Sequence, residues 1–256
     1  MSAAEIAGAI VSARKSLKKM ENYPGAAPAD LAEALAIQDA IIAAYDEPVA
    51  GWKIGCTSTA AQAALGTDGP FFGPVIGSRF FASGATVETC PDSLRVVEPE
   101  IALHLCQAIV PRDTPYTVDE VMAAVDTAHP SLEVIDRRLP GGFEDGVLWH
   151  VADCGLNDAL VLGEGRAGVP VQSLPDIRVE ARVNGEIIST GVGRNALDGA
   201  EEALLWIANA FSRLGRTLEA GQVVTTGLVT GIFAVEPGDE VEAVYDDLGT
   251  VSVRVL

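Results

Sequence analysis

The sequence predicts an α+β protein in which two helices precede a long strand-rich segment. Helical spacing of apolar residues dominates the first part of the chain, whereas from Gly51 onward glycine and proline become frequent and apolar runs become short. Helix and strand patterns do not alternate regularly in this second part, which argues against a doubly wound parallel sheet. We therefore expect a helical N-terminal segment at residues 1–50 and a second, larger domain at residues 51–256.

The N-terminal segment is expected to hold two helices. Ile6 and Ile10 begin a run of apolar residues at roughly helical spacing, which predicts a helix over residues 3–20. An alanine-rich pattern predicts a second helix over residues 29–46, after a break that contains proline and glycine. A linker to the larger domain is expected near residues 46–50.

The larger domain is expected to consist mainly of strands and turns. Asn184-Gly185, between alternating apolar and charged residues, is typical of a hairpin with a tight turn. Thr117 and Glu120 have the spacing of a capping box, which opens a helix. In chain order, the predicted elements are a strand at 51–55, a short helix at 57–65, turns at 69–70 and 73–74, a strand at 98–109, a helix at 117–128, a strand through Glu133, an exposed loop at 139–150, a hairpin at 177–190, a helix at 199–214, a strand at 223–227 and a hairpin at 240–255.

The composition describes a globular chain and argues against one class of partner. Hydrophobic residues make up 48% of the sequence, which is enough for an aliphatic core without disulfide or metal staples. The formal net charge of −19 argues against a nucleic-acid surface, because phosphate binding requires clustered lysine and arginine. An acidic surface by itself names no partner and is consistent with solubility.

Cysteine spacing and hydropathy indicate the compartment. The four cysteines are scattered without a C-x-x-C spacing, as expected for free thiols in a reducing environment. No apolar run has the length of a membrane span, and the basic residues near the N-terminus follow the apolar stretch, unlike those of a secretory signal. We therefore expect a cytoplasmic protein that does not associate with membranes.

Three acidic residues inside apolar runs are the strongest candidates for chemistry. Glu98 and Glu100 are two positions apart in a predicted strand, so both side chains point to the same face. Glu133 lies in a second apolar stretch, where a carboxylate is either solvated on one face or paired with a cation. Three converging carboxylates can bind a hard divalent ion, whereas three that line wet strand faces need no ligand. Spacing alone leaves both interpretations open.

Lys53 and His104 are further candidates. Lys53 lies in an apolar, glycine-flanked stretch, where a buried ammonium needs an anionic partner; the alternative is a lysine at a strand edge. His104 is expected on the same strand face as Glu98 and Glu100, with a role in the core as the alternative to a functional one.

Eight short motifs run in order through almost the whole chain. They are GWKIGCTS at 51–58, LGTD at 65–68, VEPEIAL at 97–103, LEVID at 132–136, VAD at 151–153, NGE at 184–186, WIAN at 206–209 and TTG at 225–227. Together they resemble the fumarylacetoacetate hydrolase superfamily, and within it the branch of 2-hydroxypentadienoate hydratases and 4-oxalocrotonate decarboxylases.

This resemblance implies a fold, a metal and a substrate class. The family fold is a mixed β roll with a small helical N-terminal segment, and members commonly form homo-oligomers. The family's Glu-x-Glu pair and its later glutamate correspond to Glu98, Glu100 and Glu133, which would hold one divalent ion, Mg²⁺ or Mn²⁺. That ion would chelate the carboxylate and the 2-oxo oxygen of a small 2-oxo acid, the implied partner, with Lys53 beside it.

The chain departs from the hydratase pattern around this site. Phe71-Phe72-Gly73 replaces a run with an acidic residue, and Asp153-Cys154-Gly155-Leu156 replaces Asp-Asn-x-Ser. Asp198-Gly199-Ala200 replaces Gly-His-Pro. These changes remove polar groups that could carry a proton or orient water, so they bear on hydration more than on metal binding.

The candidate site residues follow from these matches and departures. Lys53 is the first catalytic candidate; Asp68, Asp153 and Arg137 could replace the lost proton-handling groups, or could be turn and salt-bridge residues. Candidate substrate-binding residues are Trp52, Phe71, Phe72, Leu156, Thr226 and Gly227.

The function that the resemblance favours is a metal-dependent lyase acting on a small 2-oxo or 2-hydroxydienoic acid, with hydration of a 2-hydroxypenta-2,4-dienoate in aromatic catabolism placed first. Decarboxylation of a 4-oxalocrotonate-type acid at the same site is the main alternative, because both reactions develop charge on an enolate oxygen. Hydrolysis of an acylpyruvate is less favoured, because no His–Glu pair near the N-terminal helices could activate water. A non-catalytic protein that binds a 2-oxo acid is the fourth interpretation.

Overall fold

Two mixed β-sheets with helices packed against them make up the fold. The computed structural model describes residues 1–91, 93 and 95–256. In chain order the elements are α1 (Ala3–Lys15), α2 (Leu31–Tyr45), β1 (Val49–Gly55), α3 (Thr59–Leu65), β2 (Phe71–Ile76), β3 (Phe80–Ala82), β4 (Ala85–Val87), β5 (Arg95–Leu105), α4 (Val118–Met122), β6 (Val125–Asp136), α5 (Val147–Ala152), β7 (Asn157–Leu162), β8 (Arg166–Ala167), β9 (Arg178–Val183), β10 (Glu186–Val192), α6 (Ala200–Arg213), β11 (Val223–Leu228), β12 (Phe233–Ala234), β13 (Glu240–Tyr245) and β14 (Gly249–Val255). This order confirms the predicted α+β class.

The larger sheet carries the strands with the candidate residues. Its order is β2-β1-β11-β5-β6-β7-β3, with β12 beside β5 and β8 beside β6. The pairs β1–β11 and β3–β7 are parallel, whereas β5 and β6 form a long antiparallel hairpin at its centre. The smaller sheet has the order β10-β9-β13-β14-β4, and its strands β13 and β14 pack against β6. The main hydrophobic core therefore contacts the strands of both sheets.

The two N-terminal helices begin at side-chain caps and are tied to the sheet by buried polar contacts. Ser2 and Glu5 form a capping box at the start of α1, and the Asp30 carboxylate accepts from a backbone N–H at the start of α2. The buried Gln38 of α2 donates to the carbonyls of Phe72 (3.1 Å) and Val151 (2.8 Å). The division at residue 50 stays a prediction. In the described part of the chain, no helix combines the length and the apolar character that crossing a membrane requires.

Several predicted boundaries are wrong, each for a tertiary reason. The helix expected over 117–128 ends at Met122, because the chain from Val125 joins β6 and pairs with β5 along its length. The turn expected at 73–74 lies inside β2. Because β2 is an edge strand, the proline there does not deprive a neighbouring strand of a hydrogen bond.

Boundary predictions failed at three further places. The helix expected to residue 20 ends at Lys15, and Leu17 has a left-handed φ of 51°. The exposed loop expected at 139–150 contains the start of α5, whose Trp149 and His150 are buried. The predicted linker at 46–50 overlaps β1, which begins at Val49.

Gly73 lets β2 pass directly over the chain at Cys154. A Cβ on Gly73 would lie 1.9 Å from the Cys154 carbonyl oxygen, whereas a Cβ on Gly8 in α1 would meet nothing within 4 Å. We expect Gly73→Ala to lower the free energy of unfolding by about 1–3 kcal/mol or more, because backbone must move. Gly8→Ala should raise it by about 0.5–1 kcal/mol, because alanine favours the helix. Urea unfolding measures both, and equal stabilities of the two variants would contradict the packing described.

Candidate metal centre

The β5–β6 hairpin brings three carboxylates together. Glu98 and Glu100 lie on one face of β5, and Glu98 is directly opposite Glu133 in the register of the two strands. One carboxylate oxygen from each of the three residues lies within 4.8 Å of the others. Glu100 and Glu133 are fully buried, whereas Glu98 is partly exposed toward an adjoining cavity. The structure thus gathers all three predicted metal ligands.

Pro99, between the two glutamates of β5, shapes the neighbouring strand. Its carbonyl accepts from Val229 N–H at 3.0 Å, so its missing N–H faces the same side, toward β11. The ladder between β5 and β11 shifts register at this level, between Thr225 and Leu228. The irregular backbone then turns Gly227 toward the carboxylates.

Glu100 is held by β11 through one of its oxygens. Its Oε2 accepts from the Gly227 N–H at 2.8 Å and from the Thr225 hydroxyl. Gly227 has φ +103°, and a Cβ there would meet Thr57 Oγ1 at 2.3 Å, so only glycine fits. The other oxygen, Oε1, makes no hydrogen bond to a described residue.

Glu133 is held in a similar way from two directions. The Asn157 amide donates to its Oε1 at 2.8 Å, and the buried Lys53 Nζ lies 3.2 Å from its Oε2. The contact to Lys53 is an ion pair that lacks good hydrogen-bond geometry. Each buried glutamate therefore has one oxygen fixed by the protein and one still available to a ligand.

Burial and mutual repulsion act against three negative charges here. Burial, then Glu133, raises the pKa of Glu98 to about 7, although Lys53 opposes the shift. Burial, Glu133 and Glu98 raise the pKa of Glu100 well above its ordinary value. Burial alone would lower the pKa of Lys53, but the carboxylates, Glu133 first, outweigh it and raise it. A single ammonium does not balance three carboxylates, so the cluster favours protons or a further cation.

The donor set suits a hard divalent ion. Carboxylate oxygens are the preferred ligands of Mg²⁺, Mn²⁺ and Ca²⁺, and the available Oε1 of Glu100 and Oε2 of Glu133 are buried polar atoms that an ion would satisfy. The residues present therefore fit one divalent ion held by Glu98, Glu100 and Glu133. Three protein ligands would leave coordination positions for a substrate.

A cavity of about 580 Å³ opens beside the carboxylates. Most of its wall area is apolar, although eight polar or ionisable side chains also line it. The apolar lining residues include Ile54, Ala61, Ala64, Leu65, Phe71, Ile135, Phe143, Leu156, Leu228 and Ile232. The polar lining residues are Lys53, Cys56, Thr57, Ser58, Glu98, His150, Asn195 and Thr230. A mostly apolar cleft with few convergent polar groups is the usual form of a small-molecule site.

The predicted substrate-binding residues divide into two groups. Phe71 and Leu156 line the cavity, and Gly227 contacts Glu100. Trp52 and Phe72 instead pack with Phe211 of α6. The orientation of Trp52 follows from strand alternation, because the side chain next to Lys53 points to the opposite face of the strand.

Thr226 is also turned away from the cavity. Its hydroxyl donates to the Ile101 carbonyl at 2.7 Å, so it supports the strand pairing. Thr226 was predicted to bind substrate, whereas it is the neighbouring Thr225 whose hydroxyl contacts Glu100.

The carboxylates predicted to replace lost proton-handling groups lie outside the cavity. Asp68 is exposed in the loop after α3. Asp153 is buried and bound by Arg14 of α1, whose Nη2 lies 2.7 Å from Oδ1. Its charge is thus engaged in holding α1 in place.

The other two basic candidates are paired elsewhere. Arg137 pairs with Asp145 and donates to the Gly142 carbonyl. His104 is partly exposed, and its Nδ1 lies 2.6 Å from Asp126 Oδ1. The expectation that His104 could act with the glutamates therefore has no support in the geometry.

Sequence reasoning missed four residues that complete the site. Thr225 and Asn157 fix the two buried glutamates, and His150 and Phe143 line the cavity. A signal was available for Thr225, because it lies two positions before Gly227. The other three carry no local pattern that points to Glu133 or to the cavity.

Removal of one charge from the cluster should stabilise the metal-free protein. At pH 8, above the pKa of Glu98, we expect Glu98→Gln to raise the free energy of unfolding by about 1–3 kcal/mol, because one repelling charge is lost. Folding raises the pKa of Glu98, so the parent protein loses stability as the pH rises from the pKa of the unfolded chain to about 7. The difference in stability between Glu98→Gln and the parent should therefore shrink below pH 7.

The same variant should lose metal binding. Mn²⁺ titration by calorimetry should show heat with the parent protein and little with Glu98→Gln, and added Mn²⁺ should no longer raise the melting temperature. Glu186→Gln removes an exposed carboxylate and serves as the control. Undiminished Mn²⁺ affinity in Glu98→Gln would remove Glu98 from the ligand set.

Comparison with known proteins places the chain in a family. The model of the family described as fumarylacetoacetate (FAA) hydrolase C-terminal matches residues 43–256. A curated 2-keto-4-pentenoate hydratase from Dechloromonas aromatica is 31% identical over 252 residues, covering 94% of this chain and 95% of its own length. A 4-oxalocrotonate decarboxylase from Pseudomonas putida is 29% identical over 208 residues, covering 81% and 78% of the two chains.

A solved structure agrees along almost the entire chain. The 4-oxalocrotonate decarboxylase of Pseudomonas putida G7, complexed with magnesium and adipate, superposes with a TM-score of 0.87 at 25% identity, covering 99% of this chain and 97% of that one. The match in fold, the family model and the similarity to the curated relatives support one conclusion. This chain belongs to the fumarylacetoacetate hydrolase family.

Proposed function

We propose that this protein is a metal-dependent lyase acting on a small 2-oxo or 2-hydroxydienoic acid, with hydration of a 2-hydroxypenta-2,4-dienoate as the first candidate reaction. The observation that carries the proposal is the cluster of Glu98, Glu100 and Glu133 beside Lys53 at the edge of a mainly apolar cavity. Its relatives named 2-keto-4-pentenoate hydratase and 4-oxalocrotonate decarboxylase support the same class.

The glutamates would hold one divalent ion, with Mg²⁺ or Mn²⁺ proposed. When bound, the ion supplies charge stabilisation for the enolate oxygen of a 2-oxo acid. Thr225, Gly227 and Asn157 keep the carboxylates of Glu100 and Glu133 in place through hydrogen bonds. These fixed dipoles need little reorganisation when substrate binds, which is the condition for efficient electrostatic stabilisation.

Lys53 supplies a fixed positive charge at the cavity wall. Its Nζ stays protonated, because Glu133 lies 3.2 Å away and the carboxylates raise its pKa. The ring of Phe71 lies under it at 5.5 Å, which limits the approach of water from that side. Lys53 therefore acts as a cation toward the substrate carboxylate or the developing enolate, and not as a base.

Decarboxylation is the second candidate because of two apolar residues in the cavity wall. Phe71 and Leu156 line the cavity where hydratases of the family carry polar groups, so groups that could orient water are missing at these two positions. Loss of CO₂ needs the same charge stabilisation and no added water.

The proposal extends to a homo-oligomer in the cytoplasm, and the free thiols of the four cysteines support a reducing compartment.

A substrate screen separates the reactions. A 2-hydroxypenta-2,4-dienoate and a 4-oxalocrotonate-type acid would be offered with Mg²⁺ and with Mn²⁺, following ultraviolet absorbance and CO₂ release. Metal-dependent loss of the dienoate without CO₂ supports hydration, and CO₂ release supports decarboxylation. Binding of oxalate or pyruvate without any product would instead indicate a non-catalytic homologue, and cleavage of an acylpyruvate would indicate a hydrolase.

Lys53 should matter to turnover and not to metal affinity. We expect Lys53→Met to lower kcat by about 10²–10³-fold, because a fixed charge near the developing enolate is lost. Its affinity for Mn²⁺ should stay equal or rise, because the ammonium and the ion compete for Glu133. Steady-state kinetics and Mn²⁺ calorimetry test this, with the exposed Lys18→Met as the matched control. Weaker Mn²⁺ binding in Lys53→Met would contradict the assigned role.

A further inference from the structure

Thr57 carries a hydroxyl at the cavity that the proposed mechanism does not use. It lies just after β1, is 7% exposed, and lines the cavity together with Lys53 and Glu98. Its hydroxyl makes no hydrogen bond to a described residue, and it is not one of the side-chain oxygens that are closed off from solvent. The accessible part of this side chain therefore lies at the cavity.

Other polar side chains of the cavity lining are already engaged within the protein. The Ser58 hydroxyl accepts from a backbone N–H in the first turn of α3. The Thr230 hydroxyl and the Asn195 amide each donate to a backbone carbonyl. A hydroxyl offers one donor and two acceptor sites, and in Thr57 none of these is taken by a described residue.

The Thr57 side chain lies against the backbone that holds a metal ligand. A Cβ on Gly227 would lie 2.3 Å from Thr57 Oγ1, so the hydroxyl packs directly on this glycine. The Gly227 N–H donates to Glu100, whereas the Lys53 ammonium pairs with Glu133. Two donors at the cavity therefore flank the carboxylate cluster, the hydroxyl on the Glu100 side and the ammonium on the Glu133 side.

The backbone holds Thr57 in this position. Its carbonyl accepts from the Leu197 N–H at 3.0 Å. Leu197 has a left-handed φ of 49°, and Cys56, directly before Thr57, has one of 61°. Such conformations persist in non-glycine residues where the surrounding structure fixes them, and they are common at binding sites. The hydroxyl is thus fixed beside the cluster by contacts from two separate segments.

We propose that Thr57 is a substrate-orienting residue whose hydroxyl donates to the carboxylate of the 2-oxo acid, on the Glu100 side of the cluster. The 2-oxo oxygen of the same molecule is then on the Glu133 side, beside Lys53. This inference rests on the proposed function and deepens it, because it fixes which way round the substrate binds. It assigns the substrate carboxylate to Thr57 and the developing enolate oxygen to Lys53. A hydrogen bond to a charged group is among the stronger ones.

The test uses pyruvate binding, which needs no turnover. Thr57→Val keeps the shape of the side chain and removes the hydroxyl. At saturating Mn²⁺, calorimetry should show its affinity for pyruvate lowered about 10–100-fold, while its affinity for Mn²⁺ stays within about 3-fold of the parent value. Thr57→Ser keeps the hydroxyl and should bind pyruvate within about 3-fold of the parent. Thr190→Val makes the same change at an exposed position and is the control.

The kinetic signature should differ from that of Lys53. With a substrate that is turned over, Thr57→Val should raise KM about 10–100-fold and change kcat less than about 10-fold, because the contact is present in the ground state. Lys53→Met is expected to lower kcat instead. A Thr57→Val variant that loses kcat with KM unchanged would overturn the assignment of the carboxylate to Thr57.

Three binding results would overturn the inference. Unchanged pyruvate affinity in Thr57→Val would show an idle hydroxyl, and equal losses in Thr57→Val and Thr57→Ser would show a packing role. Loss of Mn²⁺ affinity would show that Thr57 acts through Gly227 and Glu100. If Thr57→Val does not fold, Thr57→Ala takes its place with the same expected loss.

The same measurements separate this inference from the proposed reaction. A parent protein that binds pyruvate with Mn²⁺ but transforms neither candidate substrate would end the proposed reaction, and a loss confined to Thr57→Val would still support the contact. A parent protein that binds no pyruvate in the presence of Mn²⁺ would overturn both.

Discussion

Repulsion among three closely spaced carboxylates is the constraint on which the rest of the site depends. Glu98 and Glu133 are direct cross-strand partners, an arrangement that is unfavourable for like charges, and Glu100 lies on the same face. The interior offers little solvent screening, so the energy of this cluster depends on the cations near it. Lys53 offsets only part of the charge, and of the three glutamates Glu98 alone is partly exposed to the cavity. The fold therefore holds an arrangement that a bound divalent ion would stabilise.

The contacts that hold the cluster reach across the whole molecule. The Tyr245 hydroxyl, from the smaller sheet, lies 2.9 Å from the carbonyls of both Glu100 and Ser131, so it joins the sheets directly beneath the hairpin. From the other side, Arg14 of α1 donates to the Asn157 carbonyl at 2.7 Å, and the Asn157 side chain donates to Glu133. Arg14 of the N-terminal helix is thus linked to Glu133 through the single residue Asn157, although the helix lies far away in the chain.

The parts of this site that sequence could predict are the local ones. Strand alternation placed Glu98 and Glu100 on one face, and the apolar surroundings of Glu133 and Lys53 marked both as residues that need a partner. The motif resemblance then implied that all four belong to one site. Alternation also implies that Trp52 faces away from Lys53, and applying it strictly would have removed Trp52 from the substrate-binding set. The pairing of Asp153 with Arg14 is a contact between residues far apart in sequence, so no spacing predicts it. The fold class followed from the order of helix and strand patterns along the chain. The boundaries of the helices and strands depended on strand-pairing partners, which a single sequence does not show.

The segment before β7 shows why the loss of polar residues need not mean the loss of chemistry. Cys154, Gly155 and Leu156 all have left-handed φ, and such backbone in non-glycine residues costs about 1–3 kcal/mol each. This turn lays Gly155 against Lys53, since a Cβ there would lie 3.1 Å from Lys53 Cδ, and it directs Leu156 into the cavity wall. An apolar wall weakens the handling of water, but it lowers the local dielectric and so strengthens each charge interaction within the site. The apolar residues at these positions therefore strengthen the electrostatic effect of Lys53 and the glutamates on whatever binds beside them.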